Sequence, residues 1–145
     1  MSITVAPFLM DIHPDKKELL ELSYSVYARG TENTWSSMMI DNKNNQIKLD
    51  ETVPGGNLAR MELMAILKSL GRLHLLLNDK MKSYADITVF TNSIYCTNVL
   101  KEWIYLWEPS KFEGRPNSDL LIEIFPLLSL FEHLNISWVP SSFIL

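Results

Sequence analysis

Few side chains in this chain stand where they could do chemistry. Glu62 sits alone among apolar residues in Arg60-Met61-Glu62-Leu63-Met64-Ala65, and Asn92-Ser93 follow the run Asp86-Ile87-Thr88-Val89-Phe90-Thr91. A hard divalent cation needs several carboxylate oxygens, so a lone acid paired with an amide makes a poor metal site. An acid early in a helix is also favoured by the helix dipole whether or not it binds anything. His13, His74 and His133 are far apart and form no ligand pattern. Cys96 is the only cysteine, which excludes an intramolecular disulfide and any cysteine-rich zinc site, and a buried structural thiol is expected. No glycine-rich phosphate loop, nucleophile elbow or histidine–cysteine pairing is present.

The elements that must position these residues follow from composition and period. The 145 residues are 47% hydrophobic and 21% charged, the balance of an ordinary globular domain, with no apolar run of the length that spans a membrane. The N-terminus lacks the pattern of a secretory signal, so a reducing compartment, cytoplasm or nucleus, is expected. The net charge of −4, with scattered basic residues, argues against a strong nucleic-acid binder, which needs a basic stripe to displace counterions.

Residues 1–17 read as an N-terminal extension and 18–145 as one domain. Glu18 to Ala28 alternates Leu20, Leu22, Tyr24 and Val26 on one face, a strand period. Thr34 to Ile40 and Gln46 to Thr52 read as two more strands, joined by the turn formers Asp41-Asn42-Lys43-Asn44-Asn45. After Pro54-Gly55-Gly56, Asn57 is placed to cap a helix from Leu58 to about Leu77. Asp86–Thr91 is a parallel strand expected to be buried on both faces. Ser93–Trp107 is a helix whose apolar face is read as Cys96, Val99, Leu100, Trp103, Leu106 and Trp107, with the two tryptophans in the core. A third helix, capped by Ser118-Asp119, is expected from Leu120 to about Leu134 with a break at Pro126, before a last strand at Ile136–Val139.

In this β-β-β-α-β-α-α-β order, four segments resemble ribonuclease H of the type that cuts RNA in RNA/DNA hybrids: Arg60-Met61-Glu62-Leu63-Met64-Ala65, Thr91-Asn92-Ser93, Trp103-Ile104-Tyr105-Leu106-Trp107 and Asn117-Ser118-Asp119-Leu120. The resemblance spans roughly Glu18 to Val139. It implies an α/β, ribonuclease H-like fold: a mixed five-stranded sheet, three antiparallel strands then parallel ones, flanked by helices and lacking the family's terminal helix.

The resemblance also implies two-metal phosphodiester hydrolysis, in which four acids hold two ions about 4 Å apart. Glu62 matches the second acid and Asn92 replaces the third. The first falls at Ser23, Tyr24 or Ser25, and the fourth has no counterpart. The family's substrate-release histidine falls near Pro140-Ser141-Ser142, and its basic protrusion corresponds to Glu108–Arg115 with two cations. Glu62, Asn92 and Tyr24 are therefore expected to be vestigial positions in a pseudoenzyme with no cofactor. An Asn92 engineered from Asp, a displaced ligand at Glu21 or Asp119, or a terminal helix donated by another chain would each reopen that expectation.

Degenerate domains of this fold occur in the spliceosome's central scaffold and in retroelement polymerases. The expected job is accordingly binding another protein as scaffold, adaptor or inhibitor, a viral or phage protein engaging a host factor being one form of it. Phe112, Phe143, Ile144 and Trp35 are the candidate contacts. The alternatives are nucleic-acid binding without cleavage and a residual manganese-dependent nuclease centred on Glu62. No membrane or small-molecule partner is indicated.

Overall fold

A computed structural model describes residues 21–143. The expected extension over residues 1–17, the start of the first strand and Ile144 lie outside the described residues. Five strands, β1 (Ser23–Gly30), β2 (Thr34–Asp41), β3 (Gln46–Thr52), β4 (Asp86–Thr91) and β5 (His133–Trp138), form one sheet in the order β3-β2-β1-β4-β5. The first three pair antiparallel, while β4 runs parallel to both β1 and β5. The β2–β3 turn is held by Asp41, whose Oδ1 accepts the backbone N–H groups of Lys43 and Asn45, with Asn44 in the left-handed region at φ 68°.

The helices are α1 (Leu58–Leu76), a short α2 (Asp79–Tyr84), α3 (Ile94–Asn98), a π-helical turn at Val99–Trp103, α4 (Ile104–Trp107) and α5 (Ser118–Leu130). Asn57 caps α1 by accepting the Arg60 N–H at 2.9 Å, as its position before the apolar run predicts. Helix α2 has no counterpart in the sequence reading. Asn78 caps it, accepting from the Met81 N–H at 2.8 Å, and a six-residue helix is too short to show an apolar period. Helix α5 runs through Pro126 and ends at Leu130, four residues early, because Phe131 turns extended to enter β5.

Helix α1 packs on β1 and β2, α5 on α1, and α3 on α1, β4 and β5, so these three share one side of the sheet. Val26, Met39, Leu63, Ile66, Leu70 and Val89 are wholly buried between these layers, each contributing about 1.5–3 kcal/mol relative to an exposed side chain. Within this core the Ser37 and Ser69 hydroxyls bond each other at 2.5 Å, and Ser69 donates on to the Ala65 carbonyl. The expectation of two buried faces for β4 fails: Ile87, Val89 and Thr91 are buried, but Thr88 and Phe90 are only half-buried. No described helix packs on their side.

Candidate functional site

Glu62 lies in the second turn of α1, 8% exposed, with the Ser93 hydroxyl bonded to its carboxylate. Burial raises its pKa above the ordinary value, and the Ser93 hydrogen bond only partly offsets this. Ser93 in turn caps α3, accepting the Cys96 N–H at 3.0 Å, so one hydroxyl links the helix start to the acid. Cys96 is fully buried beneath them. Burial pushes its thiol up to about 12, as expected of a structural cysteine, and the nearby Glu62 adds to the shift.

Asn92, at the end of β4, belongs to the same corner. Its Nδ2 donates to Ser141 Oγ at 2.8 Å, its carbonyl accepts from the Trp138 indole at 3.1 Å, and its Oδ1 is buried with no hydrogen-bond partner among the described residues. These bonds tie the strand end to the 3₁₀ turn Ser141–Phe143 that follows β5.

Tyr24 does not join Glu62 and Asn92. It pairs with Ile87, five residues before Asn92 and so about 16 Å along the strand from it. Its phenol instead has a raised pKa, from partial burial first and from the charge of Asp41 second. The residue level with Asn92 is Arg29, one step past the Ala28–Thr91 pair. Beside it, Gly30 lies against α1, where an added Cβ would come within 2.6 Å of the Glu62 backbone nitrogen. The sequence signal for this was the strand's end rather than its middle: Tyr27-Ala28-Arg29-Gly30-Thr31 reaches the corner, and none of these residues is acidic.

The corner thus presents one carboxylate of raised pKa and one amide; Arg29, level with Asn92, has the parity of the opposite sheet face. Among the described residues, no group of three or more His, Cys, Asp or Glu side chains could hold a metal. A pair of divalent ions needs several carboxylates, so these residues do not fit the two-metal centre that the resemblance implies. Asp119 is engaged elsewhere. It forms a two-pronged ion pair with Arg60 at 2.6 and 3.0 Å, which lowers its pKa and raises that of Arg60 while linking the starts of α5 and α1. Glu21 is exposed at the entry to β1.

Two candidate protein contacts prove to be core. Trp35 is 5% exposed, with its indole donating to Glu51 Oε1 at 3.1 Å. Phe112 is 4% exposed and packs edge-on against Phe125, in a left-handed conformation that folds the loop inward. Phe143 is 65% exposed, as a contact residue should be.

The reverse correction applies to the Ser93–Trp107 helix. The π turn carries the Ile104 N–H to the Val99 carbonyl, five residues back, and rotates Ile104 into the core. Trp103 and Leu106, expected inside, are 37% and 73% exposed, and Tyr105 is 54% exposed. Trp107 is half-buried, 5.7 Å from Trp103 and covered at 4.6 Å by the Arg115 guanidinium.

No protein-family model matches the chain. A 61-residue stretch, 42% of the chain, is 38% identical to ribonuclease H of Campylobacter jejuni strain 81-176 and likewise to ribonuclease HI of strain NCTC 11168; it spans 36% of each relative's length. Among solved structures, the N-terminal RNase H domain of a Mycobacterium tuberculosis protein, determined as a maltose-binding protein fusion, aligns with a TM-score of 0.63 at 11% identity, covering 84% of this chain and 85% of that one. Prototype foamy virus protease-reverse transcriptase aligns at 0.59 and 11% identity over 82% of this chain and 17% of that one. At such identity the likeness speaks for the fold, and the sheet order and helix placement agree with it: this chain has a ribonuclease H-like fold.

Proposed function

We propose that this chain is a catalytically inactive ribonuclease H-like protein that works by binding another protein, as scaffold, adaptor or inhibitor. The observation that carries this reading is the Glu62 corner, where one carboxylate bonded to Ser93 stands with the amide of Asn92 and no cluster of acids is present among the described residues, too little negative charge for two magnesium ions. Trp103, Tyr105 and Leu106 offer the exposed apolar surface that such a role needs, with Phe143 as a further contact. A viral or phage protein that engages a host factor is one form this role takes.

The names of the Campylobacter relatives favour a second reading, a nuclease that retains activity through Glu62. Cleavage of a labelled RNA/DNA hybrid in Mg²⁺ and in Mn²⁺, beside the Glu62→Gln variant, separates the two. The expected result is no cleavage by either protein. Cleavage lost in Glu62→Gln would overturn the proposal. The Trp103–Trp107–Arg115 cluster makes nucleic-acid binding without cutting a third reading, and hybrid affinity that falls steeply with salt would support it.

A further inference from the structure

Among the described residues, one face of the sheet carries no helix. In every central strand the side chains of one parity are buried under the helices, while those of the other parity are half-buried or exposed. At the centre of the open side Phe90, Tyr27 and Met38 lie side by side across β4, β1 and β2, with the Tyr27 and Phe90 rings stacked at 5.1 Å. Ser25, Thr88 and Ile40 flank them in the next row, and the charged Arg29, Lys48 and Asp50 lie toward the rim. Parallel strands are ordinarily covered on both faces, and an uncharged row of two rings and a methionine is poorly suited to water.

The chain carries material that matches this face. Ahead of Glu21 lie twenty residues outside the described structure, and the first ten, Met1-Ser2-Ile3-Thr4-Val5-Ala6-Pro7-Phe8-Leu9-Met10, bear no charged side chain. They are joined by residues 11–20 to β1, the central strand whose Tyr27 is the middle of the open row. Ten connecting residues reach up to about 33 Å, whereas Tyr27 lies only about 13 Å along the strand from Ser23. Asp11, Asp15, Lys16, Lys17 and Glu18 fall in the connector, where they can stay in water.

We infer that residues 3–10 lie across the open sheet face, over Phe90, Tyr27 and Met38, and supply its missing second layer from within the same chain. The inference does not depend on whether the Glu62 corner is active. A nitroxide on Thr4→Cys tests it in the full chain, because buried Cys96 stays unlabelled at neutral pH. With methyl-labelled methionine, the Met38 signal is expected to lose most of its intensity, Met81 on α2 little, and dilution to change neither. Tyr27→Lys, which charges the face, should restore Met38 while leaving the Met61 core signal in place. An unaffected Met38 overturns the inference. So does broadening that appears only when spin-labelled protein is mixed with separate isotope-labelled protein, which would assign the face to a second copy.

Discussion

The Glu62 corner and the stretch around Trp103 differ in what they retain. At the corner the backbone approaches are close: Gly30 lets β1 reach α1, Ser93 caps α3 against the acid, and Asn92 ends β4 beside β5. What differs from a metal centre is charge. Around Trp103 the segment still matches the family's helix, yet a π turn changes which side chains face water. The shape of such a corner does not by itself specify its chemistry, because packing constrains backbone approach and charge is a separate requirement. An exposed apolar segment, in contrast, has no packing reason to stay exposed.

Tryptophan truncation should separate the two kinds of surface most sharply. Trp35→Ala is expected to cost about 3–5 kcal/mol in urea unfolding, because it empties a core site and strands the Glu51 bond. Trp103→Ala should cost under about 1.5 kcal/mol and act on partner capture instead. Equal losses for the two would mean that the π turn does not turn Trp103 outward.

Gly30→Ala comes next, at about 1–3 kcal/mol, since its Cβ would press on Glu62 backbone rather than on a side chain that could yield. A neutral result would show that β1 does not approach α1 so closely.

The smallest effect is expected from Glu62→Gln. Burial raises the carboxyl pKa above its unfolded value, so the folded chain holds this proton more tightly, and the stability it brings is fully present below the unfolded value. That stability is lost as pH rises through the folded pKa. The variant should therefore melt a few degrees higher than the parent near pH 8, with the gap closing toward pH 4. A lower melting temperature at pH 8 would mean that the Glu62 carboxylate has an ionic partner.

Local signals in the chain were legible where a residue type has one use. Asn57 before an apolar period and Asp41 in a polar turn both lie in the places their side chains predict, and Asp86–Thr91 carries the bounds that its β-branched run suggests. The candidate site was half legible. Glu62 bonds Ser93, the residue after Asn92, whereas Tyr24 belongs to the far end of the strand. A strand's period of two specifies which face a residue takes, and says nothing of how far along its neighbour that residue lies.

By itself the sequence determined the succession of the five strands along the chain, the start of α1 and the solitary cysteine, because each follows from residue types and short-range hydrogen bonding. Tertiary structure decided that Arg29 rather than Tyr24 is level with Asn92, that Trp35 and Phe112 go inward, and that Trp103 goes outward. It also decided that every described α-helix of eight residues or more packs on one side of the sheet. Those outcomes depend on register between distant strands and on one five-residue turn in a helix, and both are set by how layers fit together rather than by any local preference.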